Sequence, residues 1–391
     1  MVKLGEIGTF VRGGGFLKRD YVDNGFPCIH YGQIHTKLGF TTTQHLTMIP
    51  ESLVSKSKIA SNNDVIIAIT SEDVEGSCKS TAWMGNYDVA VGAHAAIFKH
   101  SQNPIYISYY FRSPFFNRDK AKYVHGFKVV EIKPSDIAKI EIPLPPLPEQ
   151  RRLVSLLDAA FEKIDALKAN AEQNLINAKA LFQQTLAQEL KPKEGWKMVK
   201  LGEVCEIERG GSPRPIKNYI TDSPDGLNWI KIGDTDPQGK YIYSTSEKIK
   251  PEGLKRSRWV EENDFLLSNS MSYGRPYILK TNGCIHDGWL VLRNYEKSLD
   301  IDFFYYLLLS PIVQRQFSDK AQGSTVSNLN TQRVSSVEVC IPPLPEQQSI
   351  VATLDALSEK CRRLEEVAKQ TISECDALKQ SILRQAFSGE L

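Results

Sequence analysis

No stretch of this 391-residue sequence approaches the run of about 18 apolar residues that a membrane-spanning helix needs. Its opening, MVKLGEIGTFVRGG, lacks an apolar core of the kind that drives export, so a cytoplasmic protein is expected. Cysteine is scarce. The seven present (Cys28, Cys78, Cys205, Cys284, Cys340, Cys361 and Cys375) are odd in number, scattered, and never paired as C-x-x-C. That argues against a disulfide framework and a structural zinc, and it suits a reducing compartment. No histidine is spaced from another His or Cys as a metal-ligand pair. Neither Arg12-Gly13-Gly14 nor Arg209-Gly210-Gly211 is followed by the Lys-Ser/Thr of a nucleotide-binding P-loop. Charge of one sign is also lacking, the net being only +2. Basic residues exceed acidic ones by 3 over 1–147 and by 2 over 191–344, whereas 148–190 and 345–391 carry −1 and −2. So slight an excess gives little nonspecific affinity for phosphates, and any nucleic-acid binding would lean on a partner.

What the sequence does have is itself, twice. MVKLGE at 1–6 returns at 198–203, and Pro145–Gln150 returns at Pro342–Gln347, both displaced by 197. The same offset carries Arg12-Gly13-Gly14 onto Arg209-Gly210-Gly211, Ser113-Pro114 onto Ser310-Pro311, and Gly126 onto Gly323. It also carries Val154, Leu157, Asp158 and Ala159 onto Val351, Leu354, Asp355 and Ala356. The chain is therefore two tandem copies of one unit, each a globular part followed by a long helix. Insertions shift the register locally, since NDVIIAIT and NDFLLSNS align only at 200.

Each proline phrase ends a globular part and starts a helix, with Pro148 and Pro345 suited to the first turn. Steps of four and three place Leu153, Leu157, Ala160, Ile164, Leu167, Ala171, Asn174, Ala178 and Leu181 on one stripe. The second copy gives Ile350, Leu354, Leu357, Cys361, Leu364, Ala368, Thr371, Cys375, Leu378 and Ile382. These are expected to form the seam of a coiled coil, Cys361 and Cys375 filling it. A repeated unit favours a two-fold relation, hence antiparallel helices with the globular parts thrown to opposite ends.

Short β-type runs punctuated by turns mark each globular part: FPCIHYGQI, DVIIAIT and VAVGAHAAIF in the first, LNWIKIGDT, DFLLSNS and GCIHDGWLVLR in the second. YISYYFRSPFF and DFFYYLLLSPIV each suggest one short buried helix. The expected fold is α+β. Two tandem, pseudo-two-fold-related mixed α/β domains span 1–147 and 198–344. They are joined by long helices at 148–190 and 345–391, with a linker at 191–197, and the helices form an antiparallel coiled coil. The frame is shared and the loops diverge: ITSEDVEGSCKST faces SNSMSYGRPYIL, and YVHGFKVVEIK faces AQGSTVSNLN. Two binding modules of different specificity would look like this.

The combination of MVKLGEI, RGG, IKIGDT, DFLLS, GSTVSNLN and IPPLPEQ, closed by LKQSILRQAFSGEL, resembles the specificity subunit of type I restriction-modification systems over essentially the whole chain. The resemblance implies two target-recognition domains, each reading one half of a bipartite, asymmetric site on double-stranded DNA. It also implies two modification (methyltransferase) subunits docked on the helices, and two restriction (motor-nuclease) subunits. S-adenosylmethionine, Mg and ATP would all sit on those partners, and this chain would bind no cofactor and catalyse nothing. The first helix ends in FQQTLAQELKPKEGW, without the short tandem repeat some members carry there, so spacer length is not legible.

Candidate DNA contacts follow from side-chain chemistry. Arg12 and Arg209 can meet phosphates where the following glycines allow close approach, or simply flank tight turns. Tyr31, Gln33 and His35, with Lys231 and Asp234 in the second copy, follow a β-type run and can reach base edges; glutamine suits adenine and aspartate suits cytosine. In the loop Ser270–Pro276, Ser270, Tyr273 and Arg275 are candidates, Arg275 as a fork for guanine. His125 and Lys128 in one copy, and Gln322 and Ser324 in the other, occupy matching loops. Lys18, Arg19, Ser71, Lys79, Arg214 and Lys217 complete the set. Two rival readings stand beside this one. A coiled-coil structural adaptor would use its end domains to bind protein. A self-sufficient methyltransferase would need the motif that NPIY at Asn103–Tyr106 only brushes against, and the second copy has DIDF there. EIK at Glu131–Lys133 is a weaker nuclease echo, matched by NLN.

Overall fold

The computed structural model describes residues 1–237, 239–270, 273–293, 295, 297, 299–321 and 328–391. They form two compact units, Met1–Glu172 with Lys369–Leu391, and Gln173–Ala368. Each long helix is shared between the units, so each unit owns a segment of both.

In the first unit a five-stranded sheet runs in the order Gly8–Arg12, Ala95–His100, Val65–Ala68, Ser80–Trp83, Thr41–Thr42. Every pair is antiparallel except the last. A four-stranded sheet follows the order Thr47–Ile49, Phe26–Ile29, Val89–Val91, Lys58–Ala60. The run VIIA is continuous because both of its faces are covered. Val65 and Ile67 pack with Phe98, Tyr110 and Phe116 on the helical side, while Ile66 and Ala68 pack with Ile29, Ala60 and Val91 from the smaller sheet.

The second unit repeats this plan. Its larger sheet runs Glu206–Arg209, Trp289–Arg293, Phe265–Ser268, Pro276–Leu279, Tyr241–Ile242; its smaller one runs Glu247–Ile249, Leu227–Ile230, Gly283–Ile285, Arg258–Val260. Phe265 and Leu267 face the helical core and Leu266 faces Ile230 and Ile285.

Where one short helix was expected in each domain there are two: Pro104–Phe111 with Pro114–Lys120, and Ile301–Leu309 with Pro311–Ala321. The serine-proline pair causes the break. Proline cannot continue the first helix, and Ser113 Oγ accepts the N–H of Phe116 at 3.3 Å to cap the second.

The long helices span Leu147–Glu189 and Leu344–Ser388. Within each unit their segments run antiparallel. In the first, Lys168 pairs with Asp376 at 2.6 Å and Lys379 with Asp165, while Leu153, Leu157, Phe161 and Ile164 share a core with Cys375, Leu383, Ala386 and Phe387. In the second, Leu186 and Leu190 pack with Ile350 and Leu354, and Lys193 reaches Glu346 at 3.7 Å.

The seam departs from the expected stripe in one respect. Leu157, Ile164, Ala171 and Ala178 are buried, as are Leu354, Cys361, Ala368 and Cys375. The second row of the seam, however, lies four residues after each of these (Phe161, Lys168, Leu175, Phe182), not three. Leu167, Leu181, Leu364 and Leu378 therefore point away, 46% to 53% exposed. Both phases satisfy a heptad count. The bulk of Phe161 and Phe182, and the pairing of Lys168 and Lys379 across the seam, select this one. Among the described residues no helix is long and apolar enough to cross a membrane.

Candidate functional site

The outer surface of each unit is built on equivalent backbone. In the first, strand Phe26–Ile29 delivers the chain to the short helix Tyr31–Thr36. Gln33 is buried there; its Oε1 accepts the N–H of His30 at 3.2 Å and its Nε2 donates to Thr47 Oγ1 at 3.0 Å. Asp234 plays the same part in the second unit, accepting the N–H of Lys231 at 2.8 Å and the hydroxyl of Ser246 at 2.6 Å. Gln33 and Asp234 thus each brace their own turn. Ser71 is buried, and its backbone pairs with Val130.

The arginine-glycine pairs share one device. Arg12 Nε donates to Ala93 O at 3.3 Å, and Arg209 Nε donates to Asp287 O at 3.2 Å. A Cβ on Gly13 would lie 2.3 Å from Gly92 O, and one on Gly210 2.2 Å from His286 O. Close backbone approach is why glycine stands there. Arg12 also holds Glu131 at 2.7 Å.

Around this shared frame the surface chemistry differs. In the first unit Tyr31 is partly exposed, its ring 5.1 Å from His94 and 5.9 Å from His35. His35 Nε2 meets Thr70 O at 2.9 Å, and Thr70 Oγ1 meets His94 Nδ1 at 3.1 Å. His30 stacks on Tyr21 at 5.2 Å, and burial first, then the charge of Lys18, lowers its pKa, so it is neutral at pH 7. Lys18, Arg19, His125 and Lys128 are exposed and Lys79 is half-buried.

The second unit instead has a groove of about 780 Å³ lined by Arg214, Lys217, Trp229, Lys231, Glu247 and His286. Lys231 pairs with Glu247 at 2.7 Å. Asp287 takes the hydroxyl of Ser212 at 2.6 Å and Arg214 at 3.2 Å; chiefly the serine holds its carboxyl below the usual range. Arg275 does not project as a fork. Its guanidinium turns back over Tyr277, 5.7 Å from the ring centre, and Tyr273 packs onto the core. Ser270 is bridged through its backbone to Asn328. Gln322 and Ser324 lie outside the described residues.

Sequence reasoning did not single out Ser212 or Glu247, nor His94 and Asp287. For His94 and Asp287 the strand pairings give the reason. Arg12 is opposite Ala96 and Arg209 opposite Leu290, so Ala93 and His94 correspond to Asp287 and Gly288 at an offset of 194, not 197. Among the described residues no cluster of three or more His, Cys, Asp or Glu is arranged to hold a metal.

The family described as "Type I restriction modification DNA specificity domain" matches residues 1–178 and again 193–374. The chain belongs to that family. It is a DNA specificity subunit of a type I restriction-modification system, the non-catalytic component. It is 24% identical to the StySPI specificity subunit of Salmonella potsdam over 98% of this chain and 87% of that one. It is 23% identical to the EcoKI specificity subunit of Escherichia coli K12 over 96% and 84%. The fold of this specificity subunit matches a chain solved in work on complex assembly and conformational transition of the type I R-M system, with a TM-score of 0.80, 23% identity, and coverage of 100% and 97%. The HsdS subunit from Thermoanaerobacter tengcongensis matches with a TM-score of 0.58 at 23% identity, over 100% and 96%.

Proposed function

We propose that the two units read the two parts of a split, asymmetric site on double-stranded DNA, and that partner subunits carry out adenine methylation and restriction there. One observation supports this most. On one shared frame, though not position for position, the first unit presents Tyr31, His35 and His94 and the second presents Arg214, Lys231, Glu247 and Asp287. Bases present different donors and acceptors in the major groove, so different side chains on a common scaffold select different half-sites. Half-site centres about one helical turn apart let both units meet one face of the duplex. Arg12, Lys18, Arg19, Lys79, Lys128, Arg209 and Lys217 are suited to phosphates, which set register without reading sequence.

Two modification subunits dock on the helices, one per unit. The 197-residue offset carries Leu167 onto Leu364 and Leu181 onto Leu378. Leu167 and Leu378 belong to the first unit and Leu364 and Leu181 to the second, so each unit displays the same half-exposed leucine pair. Repeated apolar surface of this kind fits two copies of one partner. Two restriction subunits then join, the cofactors reside on these partners, and the complex works in the cytoplasm.

Footprinting of the assembled complex on DNA selected from a random pool tests the reading. Two protected patches with an unprotected gap are expected, and the joint change Arg214→Ala, Lys217→Ala should weaken one patch only. A single palindromic footprint, or no selected sequence, would contradict it and favour a protein-binding adaptor.

A further inference from the structure

Phe127 is 97% exposed at the tip of a hairpin in the first unit. The stalk is well fixed. His125 donates its N–H to Glu131 O at 3.0 Å, and Glu131 returns its own to His125 O at 2.8 Å. Gly126 has φ +123°, and a Cβ there would meet Val129 O at 2.1 Å, so only glycine makes this turn. Below the tip Val130 and Ile132 are buried, Val130–Glu131 pairs with Thr70–Ser71, and Arg12 clasps Glu131. Through Thr70 the stalk is tied to His35 and His94.

A fold gains by covering phenylalanine, yet here a stalk tied down by backbone hydrogen bonds holds the ring out in water. Its neighbours are the exposed Lys128, His125 and Val129 rather than a broad apolar surface. A protein interface wants a packed apolar centre around such an anchor. A single apolar wedge beside a basic side chain is instead what proteins push between base pairs.

Resting on the DNA-reading function above, we propose that Phe127 inserts into the base stack of the half-site read by the first unit, with Lys128 on an adjoining phosphate. The offset of 197 puts Ser324 at this position in the second copy, so the other half-site receives no wedge.

The test uses the assembled complex and the duplex it selects from random DNA, with 2-aminopurine replacing each adenine in turn. Wild type should brighten 2-aminopurine in one half-site only. Phe127→Ala should abolish the brightening and weaken binding about 5- to 150-fold, the range of one aromatic–base contact. The slope of log affinity against log salt should stay unchanged in Phe127→Ala, whereas Lys128→Ala should reduce it by about 1. Phe127→Trp should retain both signals, which separates insertion from damage to the loop. Unaltered affinity and no brightening in either protein would overturn the wedge while leaving the DNA-reading function standing. So would loss of modification-subunit binding with DNA binding intact, which would make Phe127 a protein contact. Failure of the wild-type complex to select any DNA would remove the underlying function and the wedge with it.

Discussion

The buried side chain of Gln150 accepts the backbone N–H of Asn103 at 3.1 Å and donates to Pro145 O at 2.8 Å; Gln347 accepts that of Asp300 at 2.9 Å and donates to Pro342 O at 3.0 Å. Asn103 and Asp300 are themselves the N-caps of the buried helices Pro104–Phe111 and Ile301–Leu309. The repeated proline-Glu-Gln phrase is thus a joint: prolines stop the strand, and the glutamine locks the new helix to its domain. Gln150→Leu leaves a half-buried donor and a half-buried acceptor without this partner and should cost about 1 kcal/mol. Urea unfolding of the full chain measures it; a change within error would remove the joint.

About two turns further along the long helices, Tyr109 donates its hydroxyl to Asp158, and Tyr306 donates to Asp355, each at 2.5 Å. A double-mutant cycle of Tyr109→Phe and Asp158→Asn should give a coupling of about 0.5–3 kcal/mol. Additive effects would mean that the two groups stabilise the chain independently.

The seam and the displayed leucines make opposite demands. Leu157→Ala, at a buried position, should cost about 2–5 kcal/mol. Leu167→Asp, at an exposed one, should change stability by no more than about 0.5 kcal/mol yet weaken co-purification of the modification subunit. Leu364→Asp should copy it. Destabilisation by Leu167→Asp as large as that by Leu157→Ala would restore the originally expected seam.

Acid should destabilise the first unit through His100. Burial, against the opposing pull of Asp64, lowers its pKa to about 4, and its Nδ1 accepts the N–H of Gln102 at 3.1 Å. Because the unfolded ring titrates near 6.5, the unfolded chain binds more protons between the two values. Stability is complete above about pH 6.5 and falls as pH drops towards 4, by about 3 kcal/mol at most. Urea midpoints from pH 7.5 to 4.5 should decline more steeply for wild type than for His100→Gln. Parallel curves would show that His100 does not titrate in this way.

Much of this architecture was legible because repetition and periodicity are local. The offset of 197, the proline joints and the antiparallel helices follow from residues read in order. The side of the heptad stripe was not legible, since Leu167 and Phe161 satisfy the count equally and only packing across the partner helix chooses. Nor were Gln33 and Asp234 recognisable as locks, because their partners are set by the turn and not by chemistry. His94 and Asp287 were hidden by a local change of register between the copies.

The most direct measurement is single-molecule sequencing of methylated adenine in DNA from cells expressing this chain with its modification subunit. It should be done for wild type and for the joint change Arg214→Ala, Lys217→Ala. A split, asymmetric motif that vanishes without this chain, and that loses definition in one half only in the variant, is expected. A palindromic motif, or one unaltered by deleting the chain, would contradict the assignment of one half-site to each unit.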